Sequence, residues 1–174
     1  WITEQDQERD PQQQHIVCKK VIMTVPLGVL KGGSISFDEQ GHLYVALGDG
    51  GGPGNDAFLN SQDLSILEGN VLKIIPDKDF NSSVKYEIPS SNPYINKENH
   101  RPEIWASGFR NPYNSYFDDE LSLLLLADVG NNHYEEINSV IRGHNYGWPD
   151  YEGNFLTNYI GYKSDAFNLN LEYG

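Results

Sequence analysis

The sequence predicts an all-β protein of radially repeated antiparallel sheets, an arc of a β-propeller, and three observations carry that expectation. From Gly32 onward, short apolar runs ("HLYVALG", "NVLKIIP", "EIWASGF", "LLLLADVG", "EEINSVI") alternate with clusters of Gly, Asn, Asp and Pro. That is the punctuation of strands and tight turns. Few segments offer ten residues of helical period, and the best of them, "NSQDLSILEGN", supports one or two turns at most. Finally, "FDEQGHLYVALGDG" (37–50) aligns without gaps against "FDDELSLLLLADVG" (117–130), matching Phe37 to Phe117, Asp38 to Asp118, Leu43 to Leu123 and Gly50 to Gly130. The offset of 80 residues is near twice the ~40 to 45 expected of one blade. A closed propeller needs ~4 to 8 blades, and at ~45 residues each this chain supplies three or four.

Along the chain, residues 1–15 ("WITEQDQERDPQQQH") are polar and Gln-rich and read as a disordered or remnant segment. Residues 16–31 read as a strand segment of uncertain origin, rich in β-branched residues and broken at Pro26. Residues 32–174 are the propeller portion. A start on Trp1 and an end on "NLEYG" lead us to expect a piece of a longer protein.

Twenty-five acidic against twelve basic residues give a net charge of -13, which excludes a nucleic-acid backbone as partner. No run reaches the ~18 apolar residues of a membrane span, and no signal peptide is visible. Cys18, the single cysteine, rules out an internal disulfide framework. "NSS" at 81–83 is a glycosylation sequon, relevant only to a secreted eukaryotic chain.

Some motifs admit simple structural readings. "GDGGGPGND" (48–56) lacks the Lys-Ser/Thr of a P-loop; its aspartates suit calcium, and a Gly-rich loop between strands explains it as well. Tyr146 and Trp148 in "NYGWP" read as core aromatics between blades. His42, His133 and His144 lack metal-ligand spacing with one another, and no role follows for them.

Four blocks in order carry a resemblance to a known family: "GGSISFDEQGHLYVALGDGGGPGNDAFLNSQDLSILEGNVLKI", "YEIPSSNPY", "RPEIWASGFRNPYNSYFDD" and "ADVGNNHYEEINSVIRGHNYGWPDYEG". Over about residues 32–154 the chain resembles the soluble quinoprotein glucose/sorbosone dehydrogenases, six-bladed propellers that bind pyrroloquinoline quinone (PQQ). The resemblance implies oxidation of an aldose sugar, with hydride passing from C1 to the quinone, a histidine taking the hydroxyl proton and calcium polarising the quinone. It implies a periplasmic or extracellular setting, and it allows a homodimer.

Residue by residue, the resemblance places Arg110 and Asn111 at the cofactor; without it they read as a surface arginine and a turn residue before Pro112. Gly130 and Asn131 match the backbone carbonyls offered to the cofactor's calcium, although many members have Pro at the position of Asn131. Glu136 and the Tyr146 carbonyl match a second calcium site, where Glu135-Glu136 otherwise reads as a solvated strand end.

The histidine that precedes the family's glycine pair falls on Leu30, which cannot take a proton. Residues 16–37, "VCKKVIMTVPLGVLKGGSISF" in the main, also resemble a short segment of flavin-dependent amine oxidases, without the Gly-x-Gly-x-x-Gly of dinucleotide binding. The stretch reads as a seam, or as a β-strand of ordinary composition. The sequence therefore predicts a PQQ- and calcium-binding dehydrogenase fragment with little activity of its own. The rival expectation is a non-enzymatic binding propeller resembling the Hedgehog-interacting protein relatives.

Overall fold

The computed structural model describes residues 34–51, 56, 59–78, 83 and 85–157. Leu30, the segments 1–15 and 16–31, Cys18 and the centre of the Gly-rich loop lie outside the described residues.

Two antiparallel sheets pack face to face. The first contains β1 (Ser34–Phe37), β2 (Leu43–Ala46), β3 (Asn70–Pro76), β4 (Tyr86–Glu87) and β5 (Ile104–Ser107). β3 is long enough to serve two partners beyond β2: its start pairs with β5 and its end with β4. The second sheet is the meander β6 (Pro112–Asp118), β7 (Leu123–Asp128) and β8 (Glu136–Val140). A hairpin of β9 (Tyr151–Glu152) and β10 (Phe155–Leu156) follows. The only helical turn among the described residues is a 3-10 turn over Asn60–Gln62 within the predicted helical stretch.

Alternation explains the core. Tyr44 and Ala46 on β2 point toward the second sheet and join Val71, Ala106, Leu124 and Leu126. Leu43 and Val45 on its other face join Leu72 and Ile104 and are covered by Leu64, Leu67 and Tyr94. β2 is thus buried on both faces, which is why its run is continuously apolar. On β7 only alternate residues are buried, since one face of that sheet is solvated.

The repeat corresponds to the first hairpin of each sheet, β1–β2 and β6–β7. β1 and β6 run side by side, with Ser115 Oγ 2.7 Å from Ser34 Oγ and 2.6 Å from Ser36 Oγ. The 80-residue offset therefore spans one sheet rather than two. The excess over an ordinary blade lies in two long connections, 47–69 and 77–103.

Candidate functional site

The loops that follow β2 and β7, and the segment between β5 and β6, meet at one end of the paired sheets. Asp128, the last residue of β7, is buried and accepts the backbone N–H of Arg110 (2.9 Å, Oδ2) and of Asn111 (2.6 Å, Oδ1). The Val129 amide donates back to Asn111 O at 3.1 Å, and the Asp49 amide donates to Arg110 O at 2.9 Å. Burial pushes the Asp128 carboxyl up to about 7, against the pull of the two amides.

With its backbone fixed, Arg110 turns its guanidinium onto the loop after β7. Nη1 donates to Val129 O (2.9 Å) and Gly130 O (2.7 Å), and Nη2 donates to Asn131 Oδ1 (3.3 Å). The guanidinium carbon lies 5.4 Å from the centre of the Trp148 ring, and the Trp148 indole N–H donates to Asp49 Oδ2 at 2.8 Å. Burial raises the Asp49 carboxyl above its usual range, opposed by the N–H groups of Gly51 and Trp148. Trp148, 3 % exposed, is the expected core aromatic and also one wall of this site. Tyr146 stacks on Phe109 at 4.7 Å.

Glu152 was not legible as a site residue, and it shapes the loop. Its Oε1 accepts the backbone N–H groups of Asn131 (2.5 Å), Asn132 (2.9 Å), His133 (3.0 Å) and Tyr134 (3.3 Å). Its Oε2 meets His133 Nδ1 at 3.0 Å. Burial pushes this carboxyl up, yet the converging donors hold it at about 2. The turn closes so tightly that a Cβ on Gly130 would sit 1.7 Å from Tyr134 O and 2.6 Å from Glu152 Oε1. The glycine is required by close approach.

The structure thus brings together four of the six expected site residues: Arg110, Asn111, Gly130 and Asn131. For the remaining pair, Glu136 and the Tyr146 carbonyl, no hydrogen-bond partner is shared among the described residues. Glu136 accepts from the Gly153 amide and from Asn138 Nδ2 (3.2 Å). The Tyr146 hydroxyl reaches the far end of β8, donating to Ser139 O and accepting from the Ile141 amide at 2.8 Å. Among the described residues no cluster of three or more His, Cys, Asp or Glu side chains is arranged to hold a metal ion.

The family model described as Glucose / Sorbosone dehydrogenase matches residues 2–169, a span that runs through the segment 16–31. HIPL2 protein from Arabidopsis thaliana is 40% identical over 145 residues, covering 77% of this chain and 20% of that protein. Aldose sugar dehydrogenase YliI from Escherichia coli (strain K12) is 34% identical over 132 residues, 76% of this chain and 32% of that protein. Hedgehog-interacting protein from Homo sapiens is 40% identical over 81 residues, 47% of this chain and 11% of that protein. Among solved structures, the PQQ-bound aldose sugar dehydrogenase from Streptomyces coelicolor matches with a TM-score of 0.52 at 28% identity, over 68% of this chain and 30% of that one. The chain spans a fifth to a third of the length of the first two relatives. By sequence along nearly its whole length and by fold, the chain belongs to the glucose/sorbosone dehydrogenase family.

Proposed function

We propose that this chain supplies the PQQ-gripping part of a sugar dehydrogenase, with Arg110 as its cationic clamp. One observation carries the reading. Three guanidinium N–H groups are committed to Val129 O, Gly130 O and Asn131 Oδ1, which fixes the plane of the group. Of the five donors an arginine owns, Nε–H and one Nη2–H have no partner among the described residues. A fixed guanidinium with two spare donors suits a carboxylate or a pair of neighbouring quinone oxygens.

PQQ, when bound, supplies the hydride acceptor for C1 of an aldose. Arg110 stabilises negative charge on the acceptor oxygen from a position that needs no rearrangement. Asn111 turns the chain beside it, its amide held by Asp128. The carbonyls of Gly130 and Asn131 would hold the calcium. Gly130 O keeps a second lone pair beside the bond from Arg110, and the Asp49 carboxylate linked to Trp148 offsets the added positive charge. Glu136 and Tyr146 take no part in this reading. The setting is periplasmic or extracellular, as the resemblance implies.

Equilibrium dialysis of PQQ against the 174-residue chain, with and without calcium, tests the clamp. We expect saturable binding that weakens at least about tenfold in Arg110→Ala and less in Arg110→Lys. Equal binding by all three proteins, or none by the wild type, overturns it. With Leu30 at the histidine position, we expect dye reduction with glucose to stay near background.

Leu30 also favours a second reading, a binding propeller without chemistry, as the similarity to Hedgehog-interacting protein suggests. Tight PQQ binding separates the two, because a propeller that only docks a protein has no use for the spare Arg110 donors.

A further inference from the structure

At the far end of the inner hairpins from Arg110, a cavity of about 230 Å³ opens between the two sheets. Its buried charged groups are Asp38 and Lys73, 5 % and 7 % exposed, with Nζ 3.5 Å from Oδ2. Asp38 is well supplied with donors: Oδ1 accepts the His42 amide N–H at 2.9 Å, and Oδ2 meets His42 Nδ1 at 2.8 Å and the Tyr44 hydroxyl at 3.5 Å.

Lys73 is not so supplied. Its ammonium has three N–H donors, and among the described residues the long contact to Asp38 is its one polar partner. Otherwise it lies over the rings of Tyr44 (5.0 Å) and Trp105 (4.6 Å). Burial pulls the ammonium below its usual range despite Asp38. A buried cation with unmet donors lining a cavity calls for acceptor atoms in that cavity.

The rest of the lining defines the occupant. Asp38 and Lys73 cancel in charge, so an ion would enter with no counter-charge in a partly dry site. The occupant is therefore neutral. Gln40 and Ser122 stand at the rim, on the turns of the two inner hairpins, and offer an amide and a hydroxyl. Trp105 and Phe117, one under the Lys73 ammonium and the other stacked on Tyr44, add aromatic surface to the lining, which takes C–H surfaces rather than more polar groups. Oxygen acceptors for Lys73, hydroxyls for the rim and C–H faces for the rings belong together in a cyclic polyol. The volume corresponds to about eight waters at ~30 Å³ each and is below the ~300 Å³ at which ordinary ligand pockets begin. That limits the occupant to one ring.

We propose that the cavity between the two sheets binds a single neutral monosaccharide ring, at a site separate from Arg110 and independent of PQQ. The probe is methyl β-D-glucopyranoside, whose blocked anomeric oxygen removes it from any oxidation at C1. It is titrated into the ¹⁵N-labelled 174-residue chain while the indole N–H signals are followed. Trp105 lines the proposed site and Trp148 lines the Arg110 site, so the two report separately.

We expect a saturable shift of Trp105 at millimolar sugar with Trp148 unmoved, and binding at least about threefold weaker in Gln40→Ala and in Ser122→Gly. Gln40 is exposed, and Ser122 has φ 51°, a conformation glycine adopts freely, so both variants keep the fold. A Trp105 signal that does not saturate overturns the proposal, as does a shift confined to Trp148. Saturation by phenol or by acetate where the glucoside has no effect overturns it equally, the first replacing a polyol by an aromatic and the second a neutral ligand by an anion.

Discussion

Glu152 and Gly130 set the geometry on which Arg110 depends, and each makes a measurable demand. The Glu152 carboxyl is held at about 2, below its ordinary 4.5. A folded-state value depressed in this way contributes stability that is present above pH 4.5 and lost as pH falls toward 2. Thermal melts at pH 7, 5 and 3 should show the wild type's advantage over Glu152→Gln shrinking between pH 5 and 3, on top of the opposite drift both proteins share from Asp128, whose raised carboxyl favours the fold as pH falls from 7. Glu152→Gln should start lower, by about 2 to 3 kcal/mol for charge-assisted bonds replaced by neutral ones, and should fall less steeply. Parallel curves for the two proteins would count against Glu152 as the loop's anchor. Gly130→Ala places a methyl against the Tyr134 carbonyl, which is backbone and cannot swing aside; a loss of about 3 kcal/mol is expected from such overpacking, read as a lower urea midpoint. Arg110, Asn111, Gly130 and Asn131 could be singled out because the two blocks that hold them follow the order of the family they resemble, and the fold brings the two blocks together. Glu152 was not: its partners are backbone N–H groups of residues 131–134, which leave no mark in side-chain identity.

The strand cadence translated directly into β2, β3, β5, β7 and β8, because each run is bounded by turn residues; β2, β3, β5 and β7 bury at least one face, and β8 buries Val140. The internal repeat was also legible, with a physical cause at its paired aspartates. Asp38 caps its hairpin turn by accepting the His42 amide, and Asp118 caps the next by accepting the Leu121 amide at 2.9 Å. The spacing misled on blade number, since sequence length cannot tell a second blade from a long connection tied back to the first. Residues 77–103 are such a connection, and Asn92 ties it. Its buried Nδ2 donates to Lys73 O (2.8 Å), Pro102 O (2.9 Å) and Glu103 O (3.3 Å), stitching the excursion to β3 and the approach to β5. Asn92→Ala removes the Asn92 donor from the Lys73 and Pro102 carbonyls, while Glu103 O keeps the Lys73 amide, and a loss of about 2 to 3 kcal/mol is expected. Lys97→Ala, on the exposed part of the same connection, should leave the midpoint unchanged. If both variants unfold at the wild-type urea concentration, the excursion is held by something other than Asn92.

At the scale of the whole molecule, one face of the second sheet carries apolar residues that nothing covers among the described residues. Tyr116 pairs across β7 with Leu125, and Ile137 on β8 pairs with Ala127. Both Tyr116 and Ile137 are exposed, Ile137 at 79 %. Beside this face, β8 pairs only with β7 among the described residues, so the backbone groups outside the Tyr146 cap at Ser139 O and Ile141 N–H adjoin the apolar surface. An edge of that kind favours pairing with another strand, and the adjoining face adds the driving force of burial. We expect the purified 174-residue chain to self-associate as concentration rises, seen as an increasing weight-average mass in sedimentation. Ile137→Lys should weaken this. Burying one isoleucine is worth about 1.5 to 3 kcal/mol, so its loss reduces association by at least about tenfold, and the inserted like charges repel across a symmetric contact. Tyr86→Lys, a replacement on the first sheet away from this face, should leave association as it was. A wild-type mass that stays monomeric over the same range would mean that the face is too small or too well hydrated to associate. Association that survives Ile137→Lys but not Tyr86→Lys would move the contact to the first sheet.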